Sequence, residues 1–303
     1  MNGLSMGSFF SVDYSFSSDF SEDIRAILDS LENSYSVRVE DSCLYKINSA
    51  LSDVPVSLTE DEYAAFSRAF ALITATKGAF DPSVYPLVSV WGFVPPYDTV
   101  VPPSSEAIET ALSHCDIASF SLLEESRSIV KSDSSAMLDF GAVMKGYAAE
   151  SVRDFLLAKG VRYALVDVGG TIAAVGKDSR IGVRPPRESK DWYVLSFILN
   201  SGEICATSGD YERYFDYEGT RYHHILDPKT GCPASSDVIS ATVIASDGLM
   251  ADAFATAAVV LGSEKALRIF SSYQVRAIII TVDKKVICHN VDVSIKDTDY
   301  VLR

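Results

Sequence analysis

The sequence has no CxxC pair and only four histidines, so it lacks the ligand spacing of a structural zinc site. Its five cysteines, Cys43, Cys115, Cys205, Cys232 and Cys288, are scattered and odd in number, which predicts free thiols. No apolar run approaches the roughly 18 residues of a membrane span. Positive charge is scarce: 26 Lys and Arg stand against 41 Asp and Glu, a net charge of -15. A surface this acidic repels phosphate backbones, which argues against nucleic acid as a partner. An anionic small ligand remains compatible, provided a local counter-charge or a metal meets it. The opening residues, "MNGLSMGSFF", show neither a basic n-region nor a long apolar core, so no export signal is legible. Two readings of the compartment stay open, a cytoplasmic protein or one trimmed of its leader. No internal repeat is evident. No linker divides the 303 residues cleanly, so a single domain with two lobes is expected over residues 1–303.

What is present is an ordinary globular balance, 48% hydrophobic and 22% charged. Residues 9–16 alternate like a strand. Ile24, Ile27, Leu28 and Leu31 share one helical face. Thr59 and Glu62 form a capping box ahead of a second helical stripe, Tyr63, Phe66, Phe70 and Ile73, with Gly78 suited to the C′ position. Residues 97–105 read as a loop, and a short helix follows near 106–114. A helix is expected from Gly146 to Gly160. After it come short strands at close spacing, over residues 162–168 and then "TIAAVG", "IGVR", "WYVLSFIL" and "EICAT". Their spacing predicts an antiparallel meander. Residues 238–246 read as a strand, 250–261 as a helix, and "RAIIITVD" with "KVICH" as a closing hairpin. Runs of strands with helices grouped between them predict an α+β fold.

Three segments carry candidate chemistry. In "SDGLMADAFATAAVVLG" (residues 246–262), Asp252 and Thr256 are four apart and share a helix face. A carboxylate and a hydroxyl are hard ligands, suited to magnesium or calcium. The plainer reading is a solvated first-turn acid with an exposed threonine; on either reading Asp252 belongs on a partly exposed face. In "MLDFGAVMKGYAAE" (residues 137–150), Asp139 precedes a Gly-Ala turn into a helix, and helix-start N–H groups bind anions. Lys145 sits near that start, where cations are disfavoured. Such a conflict marks a working site, unless Lys145 reaches solvent and Asp139 is only a cap. In residues 206–231, a hairpin through Glu218-Gly219 would pair "SGDYERYF" with "RYHHILDP". His223 and His224 would then face opposite sides of a strand, so at most one reaches a given pocket.

The segments "MGSFFSVDYS", "DSCLYKIN", "GAFDPSVYPLVSVWGF", "MLDFGAVMKGYAAE", "ALVDVGGTIAAVG", "ATSGDYERYF", "HHILDPKTG" and "MADAFATAAVVLG" occur in the order of the ApbE family of FAD:protein FMN transferases, which the chain resembles over nearly its whole length. The resemblance implies an ApbE-like α+β fold of largely antiparallel sheet flanked by helices. It implies transfer of the FMN half of FAD to a Thr or Ser hydroxyl of an acceptor protein, with AMP leaving and magnesium assisting. The acceptor would be a flavoprotein subunit of a redox complex, engaged transiently. A magnesium-dependent FAD pyrophosphatase and a non-catalytic FAD-binding protein stand as the alternatives.

Position by position, the resemblance assigns the metal to Asp252, Thr256 and the carbonyl of Ala142. It assigns FAD contacts to Met6, Ala79, Phe80, Asp81, Asp139, Lys145 and Leu226, and gives His224 an acid/base or orienting role. The chain departs from the family in three places. Ala255 stands where some members carry a second acid, Thr171 where many have Asn or Asp. Ser36-Val37-Arg38 replaces Ser-Thr-Tyr, which leaves Tyr35 as the nearest aromatic. Family members are usually membrane-tethered on the extracytoplasmic side.

Overall fold

The computed structural model describes residues 1–97 and 99–303; of the loop expected over residues 97–105, Asp98 lies outside the described residues. The chain forms two units.

The first unit comprises residues 1–32, 143–211 and 236–303. Its frame is a nine-stranded sheet, in the order Asn2–Ser5, Ser8–Tyr14, Ala164–Val168, Thr171–Val175, Ile204–Gly209, Val238–Ala245, Arg276–Thr281, Lys285–His289 and Val301–Leu302. All neighbours are antiparallel except the last pair. The expected meander is interrupted. Ser179–Val183 and Leu195–Leu199 leave the large sheet and join Val293–Ile295 in a separate three-stranded one. The period-2 alternation of strands explains the layering. Ala164, Val166 and Val168 point to a core with Ala148, Val152 and Leu156 of the helix Met144–Ala158 and with Ile24 and Leu28 of the helix Ser21–Tyr35. The alternate residues Leu165, Ile172 and Ala174 face Ile181, Leu195 and Phe197 of the small sheet. Covered on both sides, Val238–Ala245 is buried at every position. The closing hairpin expected near the end is present, Arg276–Thr281 against Lys285–His289.

The second unit comprises residues 33–142 and 212–235. It holds the helices Cys43–Ser49, Glu60–Ala75, Tyr85–Val90 and Ser105–Leu112, with a three-stranded sheet of Val56–Ser57, Ser128–Lys131 and Phe120–Leu123. The capping box of Thr59 and Glu62 is formed in both directions. The helix ends one residue earlier than expected. Thr76 is the C-cap, so Lys77 takes C′ at φ 56° and Gly78 follows at φ 76°, donating to Ile73 O at 2.8 Å. Two left-handed residues thus close the last turn. The hairpin Tyr214–Tyr217 to Thr220–His223 turns through Glu218 and Gly219, both at positive φ, as a two-residue turn requires.

The fold class is α+β with largely antiparallel sheets, as expected from the spacing. All five cysteines are free. Among the described residues, no helix is long and apolar enough to cross a membrane.

Candidate active site

In the first unit the centre of the candidate site is Asp252. It lies on the helix Gly248–Leu261, whose start is capped by Asp247 accepting from Met250 N–H. Asp252 is 3% exposed, not on a partly exposed face as expected. The reason is composition. Leu249, Ala251, Ala253, Phe254, Ala255, Ala257, Ala258 and Val259 of this helix are all buried, so it has no wide solvent face to offer a carboxylate.

The carboxylate is held from the neighbouring helix. Gly146 N–H, in the first turn of Met144–Ala158, donates to Asp252 Oδ2 at 2.6 Å. First-turn N–H groups have no intrahelical acceptor, and the N-cap Val143 supplies no side-chain one. Thr171 Oγ donates to the other oxygen, Oδ1, at 3.4 Å. Burial pushes the Asp252 carboxyl above the usual carboxylate range, while Lys145, the Gly146 N–H and Thr171 pull it down. The Lys145-Gly146 junction thereby has a physical explanation. The lysine supplies charge near a buried acid, and the glycine supplies both its N–H and closeness. A Cβ on Gly146 would sit 1.9 Å from Gly248 O, and one on Gly248 would sit 2.1 Å from Gly146 O. The two helices cross backbone to backbone at this point.

Lys145 also lies along the turn between Ala164–Val168 and Thr171–Val175. There Gly169 has φ +59°, and a Cβ would meet Lys145 Cδ at 2.9 Å and Ser8 Cβ at 2.8 Å. Met6 lies in the turn of the first hairpin at φ 52°, its N–H donating to Glu32 Oε2 at 3.0 Å. One turn along from Asp252, Thr256 Oγ1 is 3.1 Å from Ser208 Oγ.

These residues suit a hard cation. The ligand atoms that Asp252, Thr171, Thr256 and Ser208 offer are oxygens. Among the described residues no group of three or more His, Cys, Asp or Glu could hold a metal. A cation here would therefore take one carboxylate and complete its shell from hydroxyl, carbonyl, phosphate or water oxygen. Magnesium, which keeps several waters and favours substrate phosphates, fits that donor set. A buried carboxylate whose charged form is penalised by burial gains most from such a partner.

In the second unit two expected segments come together. Asp139 N–H donates to Pro82 O at 2.7 Å, which sets the "DFGA" turn against the end of "GAFD". Asp81 caps the short 3-10 turn Pro82–Val84, accepting from Ser83 N–H at 2.8 Å and Ser83 Oγ at 2.7 Å. Burial raises the Asp81 carboxyl above its usual range. Burial likewise raises the Tyr85 hydroxyl, and the Asp139 charge adds to this. Asp139 Oδ1 accepts from Gly141 N–H at 2.8 Å, closing the turn ahead of Ala142. Ala79 and Phe80 are buried. Tyr35 is buried too, stacked on Phe140 and beside Phe66, so its ring is engaged in core packing.

Leu226 packs with Leu87, Trp91, Phe93 and Ala111. The adjacent histidines do face opposite ways. His223 is buried with Nε2 donating to Ala234 O at 2.9 Å. His224 is half-buried, with Nδ1 donating to Arg213 O at 3.1 Å and its ring edge-on to Phe93. A carbonyl only accepts, so the Nδ1 proton is fixed and Nε2 carries the lone pair of the neutral ring.

Sequence reasoning missed three contributors: the Gly146 N–H, the Thr171 hydroxyl on Asp252, and the Ser208 hydroxyl on Thr256. The signal for the first was the glycine directly after Lys145. The other two are set by long-range pairing and leave no local pattern.

Comparison with known proteins places this geometry in context. A model of the ApbE family matches residues 6–279. The FAD:protein FMN transferase of Treponema pallidum (strain Nichols) is 32% identical over 284 residues, 88% of this chain and 78% of that protein. The FAD:protein FMN transferase of Escherichia coli (strain K12) is 30% identical over 278 residues, 88% and 79% of the two chains. Among solved structures, the ApbE protein of Thermotoga maritima superposes with a TM-score of 0.85 at 30% identity, covering 98% of this chain and 96% of that one. The apo form of the flavinyl transferase ApbE of Pseudomonas stutzeri gives 0.82 at 29% identity, covering 99% and 95%.

Proposed function

The chain belongs to the ApbE family, and from that membership we propose that it transfers the FMN half of FAD to a threonine or serine hydroxyl of an acceptor protein. The support is likeness over nearly the whole chain to proteins named FAD:protein FMN transferase. In the reaction the acceptor oxygen forms a bond to the FMN phosphorus. The pyrophosphate P–O bond breaks, AMP leaves, and the hydroxyl proton passes to a base.

Magnesium, when held by Asp252 and Thr256, supplies positive charge that offsets the pyrophosphate oxygens. The chain's own groups prepare for this. Gly146 N–H and Thr171 fix the orientation of Asp252. Ser208 does the same for the Thr256 hydroxyl. Lys145 brings a cation to a protein of net charge -15 that binds an anionic substrate. Met6, Ala79, Phe80, Asp81, Asp139, Lys145 and Leu226 are the FAD contacts on this reading. The acceptor, a flavoprotein subunit of a redox complex, enters and leaves through a modest interface.

On this reading His224 takes the acid/base role, and its Nδ1–H to Arg213 O supports that role by fixing the tautomer with the proton-accepting lone pair at Nε2. His224→Gln lowers kcat by roughly 10²-fold and leaves FAD affinity within about twofold. Steady-state kinetics and calorimetry check both halves; an unchanged kcat removes His224 from the chemistry.

The function is tested on products. The full chain is incubated with FAD and magnesium, with and without an acceptor domain. AMP should appear only with the acceptor, and EDTA should stop it. AMP and free FMN formed equally fast without an acceptor would make the protein a pyrophosphatase. FAD bound but intact in both arms would make it a non-catalytic flavin binder.

A further inference from the structure

The segment leading to Asp139 is held in an unusual way. Residues 136–140 adopt no helix or strand, yet Ala136, Leu138 and Phe140 are buried. Their backbone groups therefore need partners other than a ladder. Two side chains from elsewhere in the second unit provide them. Asn48, on the helix Cys43–Ser49, pairs with both backbone groups of Leu138: Nδ2 donates to Leu138 O at 2.9 Å, and Oδ1 accepts from Leu138 N–H at 2.8 Å. Lys131, at the end of Ser128–Lys131, is 1% exposed. Its ammonium donates to Asn48 O at 2.7 Å, Ser134 O at 3.0 Å and Ala136 O at 3.0 Å. Three N–H groups thus meet three carbonyls. The next link is Asp139 N–H on Pro82 O.

Burying an ammonium is costly, and a strand would satisfy the same carbonyls more cheaply. What the side-chain clamp gives instead is an irregular backbone fixed right up to Asp139. We propose that Asn48 and Lys131 are positioning residues of the reaction, holding residues 134–138 so that Asp139 is set for its FAD contact before FAD arrives. This rests on the reading of Asp139 as a FAD contact.

Asn48→Asp tests it in the full chain. The variant keeps the acceptor for Leu138 N–H but turns the donor into an acceptor facing Leu138 O. Calorimetry should give FAD binding about tenfold weaker. In an Asp139→Ala background the same change should cost less than about twofold, because its effect passes through Asp139. Equal weakening in both backgrounds, or none in either, overturns the inference and leaves the reading that the chain binds FAD standing. Asp139→Ala protein that binds FAD as tightly as the wild type overturns the parent reading and this one with it. Should Asn48→Asp fail to fold, hydrogen exchange on the wild type decides. The Leu138 and Asp139 amides should be protected without FAD; free exchange there, with protection only on adding FAD, contradicts pre-setting.

Discussion

Asp252→Asn abolishes FMN transfer and yet makes the metal-free protein more stable than the wild type. The loss follows from charge. On the proposed assignment, a metal held by Asp252 would supply several kcal/mol of charge stabilisation to the transition state, so removing the carboxylate should lower kcat by roughly 10³-fold or more. The gain follows from burial. Asp252 is 3% exposed, and burial is the largest influence on its ionisation. Asparagine has nearly the same shape. Its oxygen still accepts from Gly146 N–H, and its amide donates to the Thr171 hydroxyl. The buried charge disappears, and Lys145, half-buried, keeps access to water. Urea unfolding in EDTA should show a rise of about 1–2 kcal/mol, within the usual span of point substitutions. Wild type should gain stability from FAD with magnesium, and the variant should not. A variant less stable than wild type in EDTA contradicts the buried-charge account. A variant that still transfers FMN at limiting magnesium contradicts the metal assignment.

Gly146→Ala produces the second large effect, through packing. By helix propensity alone the change should help by about 1 kcal/mol. The added Cβ, however, would lie 1.9 Å from Gly248 O and 3.2 Å from Asp252 Oδ2. Backbone cannot yield as a flexible side chain does, so the helices Met144–Ala158 and Gly248–Leu261 must separate. The expected net loss is about 2–3 kcal/mol, the upper range of overpacking. Activity should fall further than stability explains, because the Gly146 N–H that orients Asp252 moves with the helix. A displacement of about 1 Å is enough for roughly 10²-fold in rate. Thermal unfolding and kcat measured on the same preparation check both. A variant as stable as wild type would mean the crossing is looser than the structure shows.

Much of the fold was legible where the signal is local. The Thr59–Glu62 capping box, the Glu218-Gly219 turn and the closing hairpin each depend on a few adjacent residues, and each forms as read. That Asp252 and Thr256 lie four apart on one helix was also legible, since the helix Gly248–Leu261 forms over both. The burial of Asp252 was misread, although its signal was present. Residues 249–261 contain one charged residue among alanines and large apolar side chains, the pattern of a helix buried all round. Other features had no local signal. Gly146 and Gly248 meet across 102 positions (248 minus 146), and nothing near either names its partner. Lys131 ends an ordinary strand, "SIVK", and its three carbonyls come from a helix end and a coil. The departure of Ser179–Val183 and Leu195–Leu199 from the main sheet was likewise set by which apolar faces they cover, not by their own alternation.

The central claim is tested most directly on the acceptor. An acceptor domain with a single candidate threonine is incubated with the protein, FAD and magnesium, and its intact mass is read before and after. The account predicts a gain equal to FMN less one water, localised by fragmentation to that hydroxyl, with one AMP released per acceptor modified and no gain in EDTA or with Asp252→Asn. An acceptor whose mass is unchanged while FAD is cleaved to AMP and FMN would contradict it.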